Sequence, residues 1–377
     1  MNPTPEPGNV DGNAVVYCQG AFNTTYGKTA HGLVRFTRRY RVISVIDSRY
    51  EGRDARDVLD GRFGAIPVCA SLAQALTQAE AAGQPATHFV IGLAPDGGRL
   101  DPDTREAAKQ AIRAGLNIDS GLHDFLTQDP ELSDLALRFG ARIRDVRKPP
   151  STAELHAFSG KIEKVLCLKI AVLGTDSAVG KRTTAWLVVN GFRERGVAAE
   201  LIGTGQTSWM QGARYGLILD SLVNDFVSGE IEHAVFKAWE EGRPDVIVIE
   251  GQGSLMNPAY PGGFEILAAA RPDLVVLQHA PARKEYDGFP GYPIPPIARH
   301  IQLIELISER PVAAIALNHE AMEKTGIPYV CSALEDVTGI PAFDVLEDGP
   351  DALLDYLIPF LKSPQGRNHE NFFPPKP

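Results

Sequence analysis

The segment GTDSAVGKRTT, residues 174–184, carries the strongest chemical signal in the chain. It follows the apolar run VLCLKIAVLG and precedes an amphipathic helical stretch, the setting a phosphate-binding loop needs. Gly174 and Gly180 let the backbone turn tightly without a Cβ penalty. The N–H groups of Thr175, Asp176, Ser177, Ala178 and Val179 can then point inward as an anion nest. Lys181 can reach outer phosphates, and the helix N-terminus there adds about half a positive charge. The spacing departs from the usual loop. Five residues separate Gly174 from Gly180, and Arg182 stands where a Ser or Thr ordinarily follows the lysine. Any hydroxyl for magnesium must come from Thr183 or Thr184.

The segment PDVIVIEGQGSLMNP supplies a second half-site. A hydrophobic strand ends in Glu250, where a carboxylate facing a phosphate loop holds or orients magnesium. Gly251, Gln252 and Gly253 follow, and the two glycines allow close backbone approach. Asp176, inside the loop, makes sense beside phosphates only with a cation present. Asp176, Thr183 and Glu250 are therefore the candidate magnesium ligands, with a turn-stabilising role for Asp176 as the competing reading.

Other polar segments lie after expected strands. GTGQTSWMQG, residues 203–212, reads as a loop offering Gln206, Thr207 and Ser208 to a substrate beside the nucleotide. The same substrate site would include Gly251, Gln252 and Gly253. QHAPARKEYDGFPGYPIPP, residues 278–296, is a long loop of the kind that is often functional. Within it Arg283 could pair with a carboxylate or phosphate, Lys284 could assist, and His279 could act as a general base. With Lys181, His279 and Arg283 form the candidate catalytic set. In the first half, Gly27-Lys28-Thr29 imitates a phosphate loop and Asp47 ends the next strand, where dinucleotide folds place a ribose-binding acid. The full G-x-G-x-x-G pattern is missing, so a Rossmann-like domain without its own nucleotide is the favoured reading there. His123 follows another expected strand.

These residues need elements to position them. Short β-branched runs alternate with helical stretches, which predicts β-α-β units and parallel sheets. The fold class expected is α/β, a Rossmann-like N-terminal domain followed by a P-loop NTPase-type parallel-sheet domain. The prolines of KPPSTAEL place the boundary near 150. The expected division is a disordered tail over 1–13, the Rossmann-like domain over 14–150, the P-loop domain over 151–362 and a C-terminal tail over 363–377. Length, at 377 residues, fits two or three domains. The net charge of −10, with no Lys/Arg block, argues against nucleic acid as a partner. Four well-separated cysteines and no C-x-x-C pair support neither a zinc knuckle nor a redox motif. No apolar run is long enough for a membrane span, and the polar, Pro-rich start lacks the core of a signal peptide. The chain reads as cytoplasmic.

GTDSAVGKRTT together with VIEGQGSLMNP resembles dethiobiotin synthetase and its cobyric-acid-synthase relatives, which pair a GTD-x-x-VGKT loop with a VEGAGG segment. That resemblance implies that Asn318, in IALN, reads adenine and that the protein is a homo-oligomer. A longer string covers nearly the whole chain: GKTAHGLVR, IDSGLHDFL, GTDSAVGKRTT, GTGQTSWMQGARYG, EGQGSL and HAPARKEYDGFPGYPIPP. It is similar to a two-domain P-loop family, long of unknown function, that includes D-glutamate N-acetyltransferases working beside an enolase-superfamily racemase. This chain departs from that branch in AFNTTYGKTAHG, in VISVIDSRYEG and in KRTT.

The expected activity is small-molecule transfer, with the acceptor between the domains. Two donors fit. Acetyl-CoA, which the resemblance implies, would lay its diphosphate in the 174–184 loop, and an acidic amino acid such as D-glutamate would accept the acyl group. ATP with Mg2+, which the motifs themselves suggest, would make the protein a kinase or ligase acting on a small carboxylate or amine. A nucleotide-dependent switch or binding module is the alternative from another class.

Overall fold

The computed structural model describes residues 10–361. The expected C-terminal tail and residues 1–9 of the expected N-terminal tail lie outside the described residues. Gly12 and Asn13, grouped with that tail by sequence, open the first strand.

The first sheet has six parallel strands: β1 Gly12–Tyr17, β2 Tyr40–Ile46, β3 Val68–Cys69, β4 His88–Ile91, β5 Asn117–Ser120 and β6 Ile143–Asp145. Their order is β3-β2-β1-β4-β5-β6. This is the Rossmann arrangement, with strand order reversing between β1 and β4. Val15, Phe89 and Ile118 pack on one side, and Ala14, Val16 and Val90 on the other. Burial on both faces explains why these strands read as apolar runs rather than alternating ones.

The second sheet has seven parallel strands: β7 Leu168–Gly174, β8 Ala199–Gly203, β9 Tyr215–Gly216, β10 Val246–Glu250, β11 Leu274–His279, β12 Val312–Leu317 and β13 Ala342–Phe343. Their order is β13-β12-β11-β7-β10-β8-β9. The chain runs outward from β7 to β8 and β9, returns to β10 beside β7, then crosses to β11, β12 and β13. The carboxyl ends of β7, β10 and β11 therefore adjoin at a topological switch point, where open sheets bind ligands. Every residue of β7 is buried. Its one charged member, Lys169, pairs with Asp273 at 3.1 Å.

Two compact units result. The first comprises residues 10–150 together with Gln206–Ala213; the second comprises Ser151–Gly205 and residues 214–361. The transfer of Gln206–Ala213 to the first unit departs from the continuous 151–362 division expected from sequence. The polar loop expected there is instead a helix, Gln206–Met210. Met210 is fully buried in the first unit's core, and Trp209 packs against it. The fully buried Arg39 guanidinium stacks 3.6 Å from the Trp209 ring centroid and donates from Nε to the Trp209 carbonyl at 2.8 Å. Gln211 Nε2 donates to the carbonyls of Gly32 and Phe36, each at 2.9 Å. A tryptophan, a methionine and a bonded glutamine outweigh the polar Gln-Thr-Ser that suggested a free loop.

Candidate functional site

The loop between β7 and the helix Lys181–Glu194 keeps the strand-loop-helix order expected of a phosphate site. Ala178 has φ 53° and Gly180 φ 105°, both in the left-handed region that turns N–H groups to one side. The helix geometry leaves its first N–H groups without intrahelical carbonyls. Lys181 is buried, and its Nζ donates to the Asp176 carbonyl at 2.7 Å, folding back over its own loop. Gly251 makes room for that lysine: a Cβ there would stand 3.0 Å from Lys181 Cδ and 2.4 Å from the Val172 carbonyl. Thr184 donates from its hydroxyl to Gln278 Oε1 at 2.5 Å. Gly180, Arg182, Thr183 and Ser177 are half-buried, while Ala178 is exposed at the rim.

Asp176 is fully buried and both its oxygens accept hydrogen bonds. Oδ1 takes Ser177 N at 2.6 Å and Asn257 Nδ2 at 2.9 Å. Oδ2 takes Arg283 Nη1 and Asp287 N, each at 2.8 Å. One carboxylate thus ties the phosphate loop to the segments after β10 and β11. Arg283 is held equally tightly. Nη1 also donates to the Ser177 carbonyl at 2.7 Å, while Nε and Nη2 fork onto Glu320 Oε1 and Oε2 at 2.7 and 2.8 Å. Burial works against its charge, but the bonds to Glu320 and Asp176 raise its pKa above the ordinary arginine value. Fixed in this way, the guanidinium braces the loop.

Glu250, at the end of β10, is buried and accepts Thr204 N on Oε2 at 3.0 Å. Its carbonyl accepts the Thr204 hydroxyl, which in turn accepts Gln252 Nε2 at 3.1 Å. Asn318 donates from Nδ2 to the Val179 carbonyl at 2.9 Å, and its Oδ1 accepts Glu320 N at 3.0 Å. In this arrangement it buttresses the loop. His279, at the end of β11, shares a 3.0 Å hydrogen bond through Nδ1 with the Thr175 hydroxyl. Burial, with His300 and Lys284 nearby, pushes its pKa down to about 4. It is therefore a neutral imidazole at neutral pH.

The structure thus gathers residues 174–184, Glu250, Gly251, Gln252, Gly253, His279, Arg283 and Asn318 around the loop end of the second sheet. Gln206, Thr207 and Ser208 are buried and group with the first unit, where Thr207 and Thr29 share a 2.8 Å hydroxyl contact. Asp47 is also occupied. Its oxygens accept Phe22 N at 3.0 Å and a fork from Arg49. His123 donates its backbone N–H to the Gly98 carbonyl at 2.7 Å. Sequence reasoning passed over Asn257, Asp287, Glu320 and His300. Asn257 sits within the quoted MNP run, and its polarity beside a Gly-rich turn was the one usable signal. His300 is buried, and its Nε2 has no partner among the described residues. Burial lowers its pKa to about 4, with Asp176 opposing. Among the described residues, no group of three or more His, Cys, Asp or Glu is placed to hold a metal ion. No helix among them is long and apolar enough to cross a membrane.

A parallel sheet bearing a phosphate loop, preceded by a Rossmann-like sheet, defines a two-domain P-loop protein. The chain belongs to the DUF1611 family. Residues 156–354 match its C-terminal P-loop domain and residues 48–149 its N-terminal Rossmann-like domain, both described as domains of unknown function. It is similar to a D-glutamate N-acetyltransferase of a Pseudoalteromonas species, 33% identical over 288 residues, covering 73% of this chain and 82% of that protein. A D-glutamate N-acetyltransferase of Tritonibacter scottomollicae is 30% identical over 293 residues, covering 75% and 84%. The crystal structure of a DUF1611 family protein from Anabaena variabilis matches with a TM-score of 0.84 at 30% identity, covering 93% of this chain and all of that one. Family and fold agree with the resemblance read from the motifs.

Proposed function

We propose that the protein is a transferase that moves an acyl group from acyl-CoA to the amine of an acidic amino acid, D-glutamate being the best specific candidate. What carries this reading is the similarity, over about three quarters of the chain, to two proteins named for that reaction. The loop at 174–184 would bind the donor's diphosphate through N–H groups and Lys181. The acceptor amine, unprotonated, attacks the thioester carbonyl. The new N–C bond forms, the C–S bond breaks, the amine gives up a proton, and the CoA thiolate leaves and takes one up. Hydrogen-bond donors at the far end of the pantetheine arm, distinct from the loop that would hold the diphosphate, would stabilise the developing oxyanion. His279, neutral at working pH, can accept the amine's proton but is a weak base at a pKa of about 4. The rate should therefore follow the titration of the substrate amine and show no histidine inflexion near neutrality.

The competing reading, phosphoryl transfer from magnesium-ATP, draws on the lysine of the loop and on Glu250. Its metal would have to be held by carboxylates that already accept internal hydrogen bonds. A thiol-release assay with acetyl-CoA and each glutamate enantiomer tests the choice. D-glutamate-dependent thiol release is the expected result. ADP formation from ATP, with no thiol release, would replace the acyl-transfer reading with the kinase reading.

A further inference from the structure

We infer that this P-loop binds its polyphosphate ligand without a divalent cation, an arginine having taken the cation's place on the loop's acid. The inference rests on the acyl-CoA reading for the ligand's identity, but it concerns the chemistry of the site itself. P-loop folds ordinarily hold Mg2+ through the hydroxyl after the loop lysine and a strand-end acid. Here the residue after Lys181 is Arg182, so a guanidinium replaces the hydroxyl. The Thr184 hydroxyl is engaged by Gln278. Asp176 faces no vacancy: four donors from three segments meet its two oxygens, and one of them is the charged Arg283. A divalent ion on Asp176 would have to displace Arg283, which is anchored at its other end by a bidentate pair with Glu320. Glu250 receives Thr204 N. With Asp176 and Thr184 engaged, Glu250 and the half-buried Thr183 hydroxyl make a sparse set, and hard divalent cations need several oxygen ligands. The residues present do not fit the magnesium that the fold implies. Anion binding falls instead to backbone N–H groups, the helix N-terminus and Lys181.

The test is calorimetric titration of the full chain with CoA and, separately, with ADP, each in EDTA and in excess Mg2+. The expected result is CoA binding whose Kd agrees within about twofold between the two buffers. The Asp176→Asn protein, checked for folding by circular dichroism, should change affinity by the same factor in both. CoA or ADP affinity that rises about tenfold or more with Mg2+ would overturn the inference while leaving the acyl-donor reading intact. ADP binding equal in both buffers, with no CoA binding, would sink the acyl-donor reading and leave the metal-free site standing. Binding of neither ligand in either buffer would overturn both. A manganese titration followed by electron paramagnetic resonance is the independent check. Stoichiometric loss of the free-ion signal only when ligand is present would also overturn the inference.

Discussion

The turns after β1 and β7 occupy equivalent places in two parallel sheets. Each joins a central strand to a helix, and each ends in Gly-Lys, at 27–28 and at 180–181. They are built to opposite ends. In the first, the N–H groups of Ala21, Phe22, Thr24 and Gly27 bond to carbonyls inside the turn, and Asp47 accepts Phe22 N as well. In the second, the acid lies within the loop and draws three of its four donors from other segments. A turn ending in Gly-Lys can close on its own carbonyls, as at 27–28, or be tied to neighbouring segments through an acid, as at 180–181. The composition of the two turns hides this difference, and the hydrogen bonds reveal it.

The most direct way to break the comparison is to exchange the fates of the two lysines. Lys181→Ala should abolish CoA binding in a protein whose circular dichroism is unchanged, whereas Lys28→Ala should leave the Kd within about twofold. Equal losses from both would mean that the first turn also serves the ligand. Next in size is Arg39→Ala in the first unit. It removes a fully buried guanidinium from Trp209 and from Asp11, which keeps its closer pair with Arg144, so urea unfolding should show a loss of about 3 kcal/mol. Asp47→Ala removes the second acceptor of Phe22 N and the carboxylate partner of the half-exposed Arg49. A loss of about 2 kcal/mol is expected, without any change in CoA affinity.

A more gradual effect, spread over several pH units, appears with acid. The folded pKa values of His279 and His300 are depressed to about 4, below the ordinary value near 6.5. The unfolded chain therefore binds more protons between those two values. Stability is fully present above about pH 6.5 and falls as pH drops toward 4, by up to about 1.4 kcal/mol per pH unit for each imidazole. Urea unfolding at successive pH values should show that slope, and His279→Gln should flatten it. An undiminished slope in that variant would assign the acid sensitivity elsewhere. Smallest is Gly180→Ala, where φ of 105° would strain a side chain by about 1–2 kcal/mol, read as a modest fall in Tm.

How much of this was legible in the sequence depended on whether the signal was local. VLCLKIAVLG and PDVIVIEG announced β7 and β10 because strands buried on both faces are continuous apolar runs. The edge strands β3, β9 and β13 are two residues each, too short to make a run. The loop, Glu250 and His279 were visible because strand ends and glycines mark them. Glu320 was not, since its partner Arg283 lies 37 residues away, nor was Asn257, 81 residues from Asp176. Nothing in the spacing said that Asp176 would meet a guanidinium rather than a metal.

The excursion of Gln206–Ala213 has a consequence for biogenesis. The first unit's sheet is complete once residue 145 has been made, but its Trp209 and Met210 arrive more than sixty residues later. On a translating ribosome the nascent first unit must wait with Arg39 uncovered until the strand β8 and the helix after it have emerged. A fragment ending at residue 150 reproduces that waiting state permanently, and should be captured by chaperones or proteases in proportion to the time it spends without its last helix.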